Sequence, residues 1–190
     1  MIRFEPPVEP RRFEQQVRVP GTRWLTNNPN ATTRPPDHWK RCKSELADGF
    51  KNLCAYSAMY EPVGTVDHFV SWDEDRSLAY EWSNYRYASA WINSSKQNIQ
   101  ANQMLDPFDI GDGWFEIILP SLQLRISGSI PESFRECAEF VLERLHLRDD
   151  ERVIRQRRAW YRLYQDGKLT LEGLREMAPL IAAAIDKTDR

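Results

Sequence analysis

Residues 65–96 read TVDHFVSWDEDRSLAYEWSNYRYASAWINSSK, and the fold and chemistry expected of the chain turn on this stretch. An Asp67-His68 pair closes a short strand-like run. Asn84 follows sixteen residues after His68, Asn93 nine residues after that, and Lys96 three further on. Residues 84–88, NYRYA, alternate polar and aromatic as a short strand would. From Ser89 the pattern SAWINSSKQNIQANQ suits a helix, with Ser89 as its cap. On such a helix Asn93 and Lys96 share a face. Neighbouring strand residues point to opposite sides. Asp67 and His68 therefore serve one site only if the strand ends or bends there, and the turn-prone SWDEDRS that follows suggests that it does.

These side chains suit one kind of chemistry. Hydrolysis of a phosphodiester needs an activated water, a neutraliser for the charge that builds on phosphorus and the leaving oxygen, and in-line geometry. A divalent cation with open positions supplies charge and template. Magnesium prefers hard oxygen donors, one or two of them from protein. Asp67 offers a carboxylate and Asn93 an amide oxygen, both hard. An imidazole with an ordinary pKa of about 6.5 is largely neutral at cellular pH, so His68 can act as a general base.

The order Asp-His, Asn, Asn-x-x-Lys resembles the HNH endonuclease family in its H-N-N form. The nuclease domain of that name in RNA-guided CRISPR effectors has the same spacing of nine between its middle and last asparagines. The resemblance implies a ββα-metal finger in which Asp67 and Asn93 hold Mg²⁺ (or Mn²⁺) and His68 is the general base. It further implies that Asn84 ties the loop together by side-chain hydrogen bonds and that Lys96 sits near the phosphate. Residues 37–126 are similar to bacterial HNH proteins of Septu- and retron-type anti-phage systems, through HWKRCKSELADGFKNLCAY, LAYEWSNYR and LDPFDIGDGWFEIILPSLQL. That likeness implies a defence effector acting on DNA, with RNA an open alternative, beside a protein partner such as an ATPase.

Many HNH proteins add two CxxC pairs around a structural zinc. Here the first position reads Cys54-Ala-Tyr-Ser57 and no cysteine lies near Trp91-Ile92. One thiolate cannot build a tetrahedral zinc site, so no structural zinc is expected. Trp82, Tyr85, Tyr87 and Trp91 are expected to pack where it would have been. The proline that often follows the histidine is also absent, which reshapes only the loop.

With 190 residues, 41% hydrophobic and seven Trp, the chain can bury a sizeable core as one domain with helical additions. A net charge of −2 lacks the basic footprint of a free-standing nucleic-acid binder, so full activity is expected to need a partner. Three widely spaced cysteines form no disulfide framework. The N-terminal residues lack an apolar leader and no apolar run reaches membrane length, so a cytoplasmic protein without membrane contact is expected.

Residues 1–36 hold seven of the twelve prolines and read as an extended arm. Its Arg11, Arg12, Arg18, Arg23 and Arg34 either touch phosphates or lie idle while the arm covers the domain or docks on a partner. Residues 37–130 are expected to form the HNH core that the resemblance implies. In it, Asp37 caps a helix to about residue 51 that buries Trp39, Leu46 and Phe50, with Lys40, Arg41, Lys43 and Lys51 as a solvated face. LCAYSAMYE reads as a strand that turns at residues 61–64 to meet GTVDHFV. GWFEIILP and SLQLRIS read as a second hairpin. Asp106, Asp109 and Asp112 between them read as turn residues rather than a second metal site. Residues 131–190 are helical. Phe134, Cys137, Phe140, Val141 and Leu145 form one apolar stripe, with Cys137 a core thiol. The next helix carries Val153, Ile154, Trp160, Tyr161 and Tyr164 inward and an Arg152, Arg155, Arg158, Arg162 ridge outward. A final helix pair breaks near Pro179. His38 and His146 read as surface or capping residues.

The fold class expected is α+β, an HNH finger embedded in a mainly helical domain with an additional β-hairpin. The leading functional expectation is a metal-dependent endonuclease. The alternatives are an inactive HNH scaffold that binds nucleic acid or a partner ATPase, and an α+β interaction protein in which the motif arises by chance.

Overall fold

The computed structural model describes residues 1–97 and 99–188. Among the described residues, two antiparallel hairpins lie among seven α-helices, a mixed α+β architecture. Strand β1 (Thr65–His68) pairs with β2 (Tyr85–Ala88) in the register Val66↔Tyr87, Asp67↔Arg86, His68↔Tyr85. All four residues of β2 are buried, which suits its aromatic and β-forming composition. Residue 89 turns the chain into helix α3 (Ala90–Lys96), which packs back on β1. Strand, strand and helix thus follow one another around the Asp67-His68 pair.

The run LCAYSAMYE does not pair with β1 as expected. It crosses the core as tight turns joined by a single Leu53↔Tyr60 bridge, with Lys51, Asn52 and Ala58 at positive φ. Short apolar runs cannot distinguish a strand from any other buried segment. Here the Ala55 N–H donates to the Tyr87 carbonyl, so the run flanks β2 instead.

The first 36 residues also depart from the expected arm. A wide π turn (Glu14–Arg18) runs directly into α1 (Val19–Asn27). Phe13 and Val17 are fully buried in the main core. Pro20 and Gly21 are both built into this helical run. Proline removes the N–H that would have bonded the carbonyl four residues earlier. That carbonyl, Gln16, instead accepts from Arg41 (2.9 Å). Gly21 lies against Tyr80, where a Cβ would approach the ring to 2.2 Å.

Residues 38–49 form a 3₁₀ turn (His38–Cys42) and then α2 (Lys43–Gly49), and Asp37 makes no side-chain cap. Trp39, Leu46 and Phe50 are buried as expected. The second hairpin, β3 (Phe115–Ile118) with β4 (Gln123–Ile126), matches the pattern read from the sequence. Asp106 pairs with Arg86, whose guanidinium also lies 3.7 Å from the Phe108 ring centre.

Helix α4 (Glu132–Arg144) is rotated from the expected phase. It buries Ala138, Val141 and Leu142 while Phe134 and Phe140 remain 44% and 37% exposed. Phe134 rests on Trp114 at the surface (4.9 Å), so the largest side chains of the helix take its outer edge. Helix α5 (Glu151–Gln165) is capped by Asp150 and ends before Gly167 at φ +66°. Its Arg157 is 1% exposed and donates to the carbonyls of Leu122, Leu147 and Arg148. Helices α6 (Leu171–Met177) and α7 (Pro179–Thr188) meet at Pro179, and α7 packs on β3. One hydrophobic cluster takes side chains from all three parts of the chain, from Phe13 through Tyr85 to Ile181. Among the described residues no helix is long and apolar enough to cross a membrane.

Candidate active site

A cavity of about 770 Å³ opens over the end of β1. Its lining includes Asp67, His68 and Asn93 together with Arg34, Lys40 and Lys43. The strand stops at His68, so two neighbours that would otherwise face apart border one space.

His68 is fixed by its surroundings. Its Nε2 lies 2.9 Å from the Ala79 carbonyl, which also accepts from the Tyr85 hydroxyl. A carbonyl can only accept, so Nε2 carries the hydrogen and the neutral ring keeps its lone pair on Nδ1. Trp39 and Tyr85 enclose the ring edge-on, at 4.5 and 5.0 Å between centres. Burial, opposed in part by the Ala79 contact, lowers the imidazole pKa from 6.5 to about 4. The ring is therefore a neutral acceptor across the physiological range.

Asp67 lies under the strand and is 3% exposed. Lys96 donates to both carboxylate oxygens at 3.0 Å, and the Tyr56 hydroxyl donates to Oδ2 at 2.5 Å. Burial and the adjacent carboxylate push the Tyr56 pKa well up, so it remains a donor. Lys96, expected near a phosphate, is itself 2% exposed. Its ammonium also donates to the carbonyls of His68 (2.6 Å) and Phe69 (3.0 Å). Lys96 is thus committed to the strand end and does not border the cavity. It shares a helical face with Asn93, but its longer chain passes inward beneath β1.

Asn93 donates from Nδ2 to Thr65 Oγ1 (3.1 Å) and the Val66 carbonyl (3.3 Å). Among the described residues its Oδ1 has no protein donor. Asn84 is buried away from the cavity. Its Oδ1 accepts from Val70 N–H, and its Nδ2 donates to the carbonyls of Val70 and Leu78. These bonds close the loop between β1 and β2. Trp82, Tyr85 and Tyr87 are buried beside this hairpin, and Trp91 carries the Arg152 guanidinium 4.3 Å above its ring. Cys54 Sγ accepts from Ser89 N–H.

No cluster of three His, Cys, Asp or Glu suited to a metal occurs among the described residues. The oxygens available are Asp67 Oδ1, which Lys96 alone occupies, and the free Asn93 Oδ1. Both are hard oxygens on residues that line one cavity, the donor type Mg²⁺ or Mn²⁺ takes, and the Asp67 side chain is only 4% exposed. Lys96 lowers the attraction such a cation would feel.

Three parts of this arrangement escape a sequence reading. Tyr56 sits in a run that looks like plain core, the Ala79 carbonyl has no side-chain signature, and nothing distinguishes Arg34 from its fellow arginines. No protein-family model, curated protein or solved structure matches the chain.

Proposed function

We propose that the chain is a metal-dependent endonuclease that hydrolyses phosphodiester bonds of DNA, with His68 as general base. The observation that carries this reading is the neutral, Ala79-anchored imidazole bordering the same cavity as Asp67, Asn93 and three cations. A water between His68 and a bound phosphate gives its proton to Nδ1 and attacks phosphorus. The bond to O3′ breaks, and the leaving oxygen takes a proton from solvent. The Ala79 carbonyl steadies the imidazolium formed, as a fixed acceptor of its Nε2–H. A divalent cation held by Asp67 and Asn93 would supply positive charge at the phosphate and the leaving oxygen. Asn84 and Lys96 act as positioning residues that fix the loop and the strand end. A net charge of −2 supports the further reading that a protein partner, such as an ATPase, raises activity on DNA. The role in anti-phage defence rests on the sequence resemblance.

Plasmid cleavage with Mg²⁺ or Mn²⁺, with EDTA, and with His68→Ala tests the reading. Cutting should need the cation and fall at least about a hundredfold in the variant, the usual scale of a general base. Equal cutting by variant and parent would remove His68 from this role. A second reading, a non-cutting scaffold that binds nucleic acid, draws on the occupation of Asp67 by Lys96 and Tyr56. Oligonucleotide binding without cutting under any divalent cation would favour it.

A further inference from the structure

The first 36 residues carry six arginines, and the fold sets one apart; Arg3 pairs with Glu5 and does not border the cavity. Arg12 pairs with Glu45, and Arg18 with Glu9, Glu14 and Glu81. Arg11 and Arg23 are exposed and do not border the cavity. Arg34 borders it.

The backbone that carries Arg34 is pinned on both sides. Before it, Arg76 donates to the carbonyls of Asn28 (3.1 Å) and Ala31. After it, Pro35 is buried and the Pro36 carbonyl accepts from the Tyr80 hydroxyl (2.8 Å). A residue before proline is held to extended backbone, which narrows the directions its side chain can take. The guanidinium lies 5.4 Å from the Trp39 ring centre, and the same indole meets His68 edge-on. Among the described residues no carboxylate lies within ion-pair distance of Arg34. An exposed guanidinium on a fixed backbone, rested on an indole and with no carboxylate in ion-pair contact among the described residues, presents a donor fork matched to two oxygens of a phosphate.

We infer that Arg34 is the phosphate-binding side chain of this cavity, donating two N–H groups to the non-bridging oxygens of the phosphodiester beside His68. This rests on the nuclease reading of the same site. No proton moves in the contact: the guanidinium stays charged while water's proton goes to His68. Lys43 stands on the same wall, without an ion-pair partner among the described residues, and extends the positive track.

The test compares parent, Arg34→Ala, Arg34→Lys and Arg23→Ala. One arm measures Mg²⁺-supported cutting. The other measures binding of a labelled oligonucleotide in EDTA by anisotropy across a salt series. Arg34→Ala should keep its melting midpoint, lose roughly ten- to a hundredfold in cutting, and reduce the salt slope of log K by about one. Lysine should restore the slope but not the full rate, because it lacks the fork. Arg23→Ala should behave as parent. If His68→Ala is dead while Arg34→Ala cuts and binds as parent, this inference falls and the nuclease reading stands. If His68→Ala cuts as parent, that reading falls first. If the parent does not cut, the slope decides: a change on Arg34→Ala supports the phosphate contact, and an unchanged slope overturns it.

Discussion

Lys96→Met separates a buried clamp from a substrate contact. The Lys96 and Asp67 side chains are 2% and 4% exposed, so solvent screens their pairing little. Removing the ammonium leaves Asp67 with the Tyr56 hydroxyl alone and frees the carbonyls of His68 and Phe69. Breaking a buried pair from one side costs about 3–5 kcal/mol. Asp67→Asn alone should cost less, because the ammonium keeps its two carbonyl acceptors and an amide oxygen takes the place of the carboxylate. The double variant, Asp67→Asn with Lys96→Met, removes both charges. It should be more stable than the sum of the single effects implies, with a coupling of about 1–3 kcal/mol. Urea denaturation of the four proteins measures each corner of this cycle. A Lys96→Met protein as stable as the parent, with weakened oligonucleotide binding, would refute the clamp and return Lys96 to the phosphate.

Two further outcomes follow from the same geometry. If His68 is the base, the acid limb of kcat/KM should have its midpoint near pH 4 rather than 6.5, with activity lost as pH falls through that value. The native pKa lies below the unfolded one, so the unfolded chain takes up the proton first. Stability should therefore drop by up to ~3 kcal/mol as pH falls from 6.5 to about 4. His68→Gln should abolish this component in pH-dependent denaturation, and an unchanged pH dependence would contradict the enclosed ring. Asn84→Ala should cost about 2–4 kcal/mol, because it leaves Val70 N–H and two carbonyls without their partner. Hydrogen exchange should quicken through residues 69–84, and parent-like protection there would show that the loop closes without Asn84.

The spacing of Asp67, His68 and Asn93 was legible because each sits on a short local element whose periodicity is visible in the sequence. A strand that ends at 68 and a helix that begins at 90 suffice to bring them to one space. The direction of Lys96 was not legible. Sequence separation assigns a helical face, while the depth reached by a long side chain depends on what lies beneath it. Here that is a carboxylate whose burial only the tertiary fold creates. The strand assigned to residues 53–61 failed for a related reason, since an apolar run signals burial and leaves the backbone path open. At Pro20 and Gly21 the local rule lost to two distant residues. Arg41 takes up the carbonyl that proline leaves, and Tyr80 fills the space that glycine leaves.

The distribution of charge bears on how a mildly acidic chain could take the anionic substrate proposed for it. Asp67 is offset by Lys96, and His68 is neutral above about pH 4. Among the described lining residues, the cavity therefore presents its rim cations with Asp67 as the one carboxylate, and that is answered by Lys96. Lys40 is partly answered by Asp37, which leaves Arg34 and Lys43 as the groups that set the local potential. Within a Debye length of about 8 Å at physiological salt, that local set outweighs a net charge spread over the whole surface. On the proposed reading, a phosphate would thus be drawn to the cavity mouth by Arg34 and Lys43. If the proposed nuclease reading holds, a net charge of −2 limits how strongly the chain holds DNA along its length, and a partner that contributes length would raise occupancy without altering the proposed chemistry at His68.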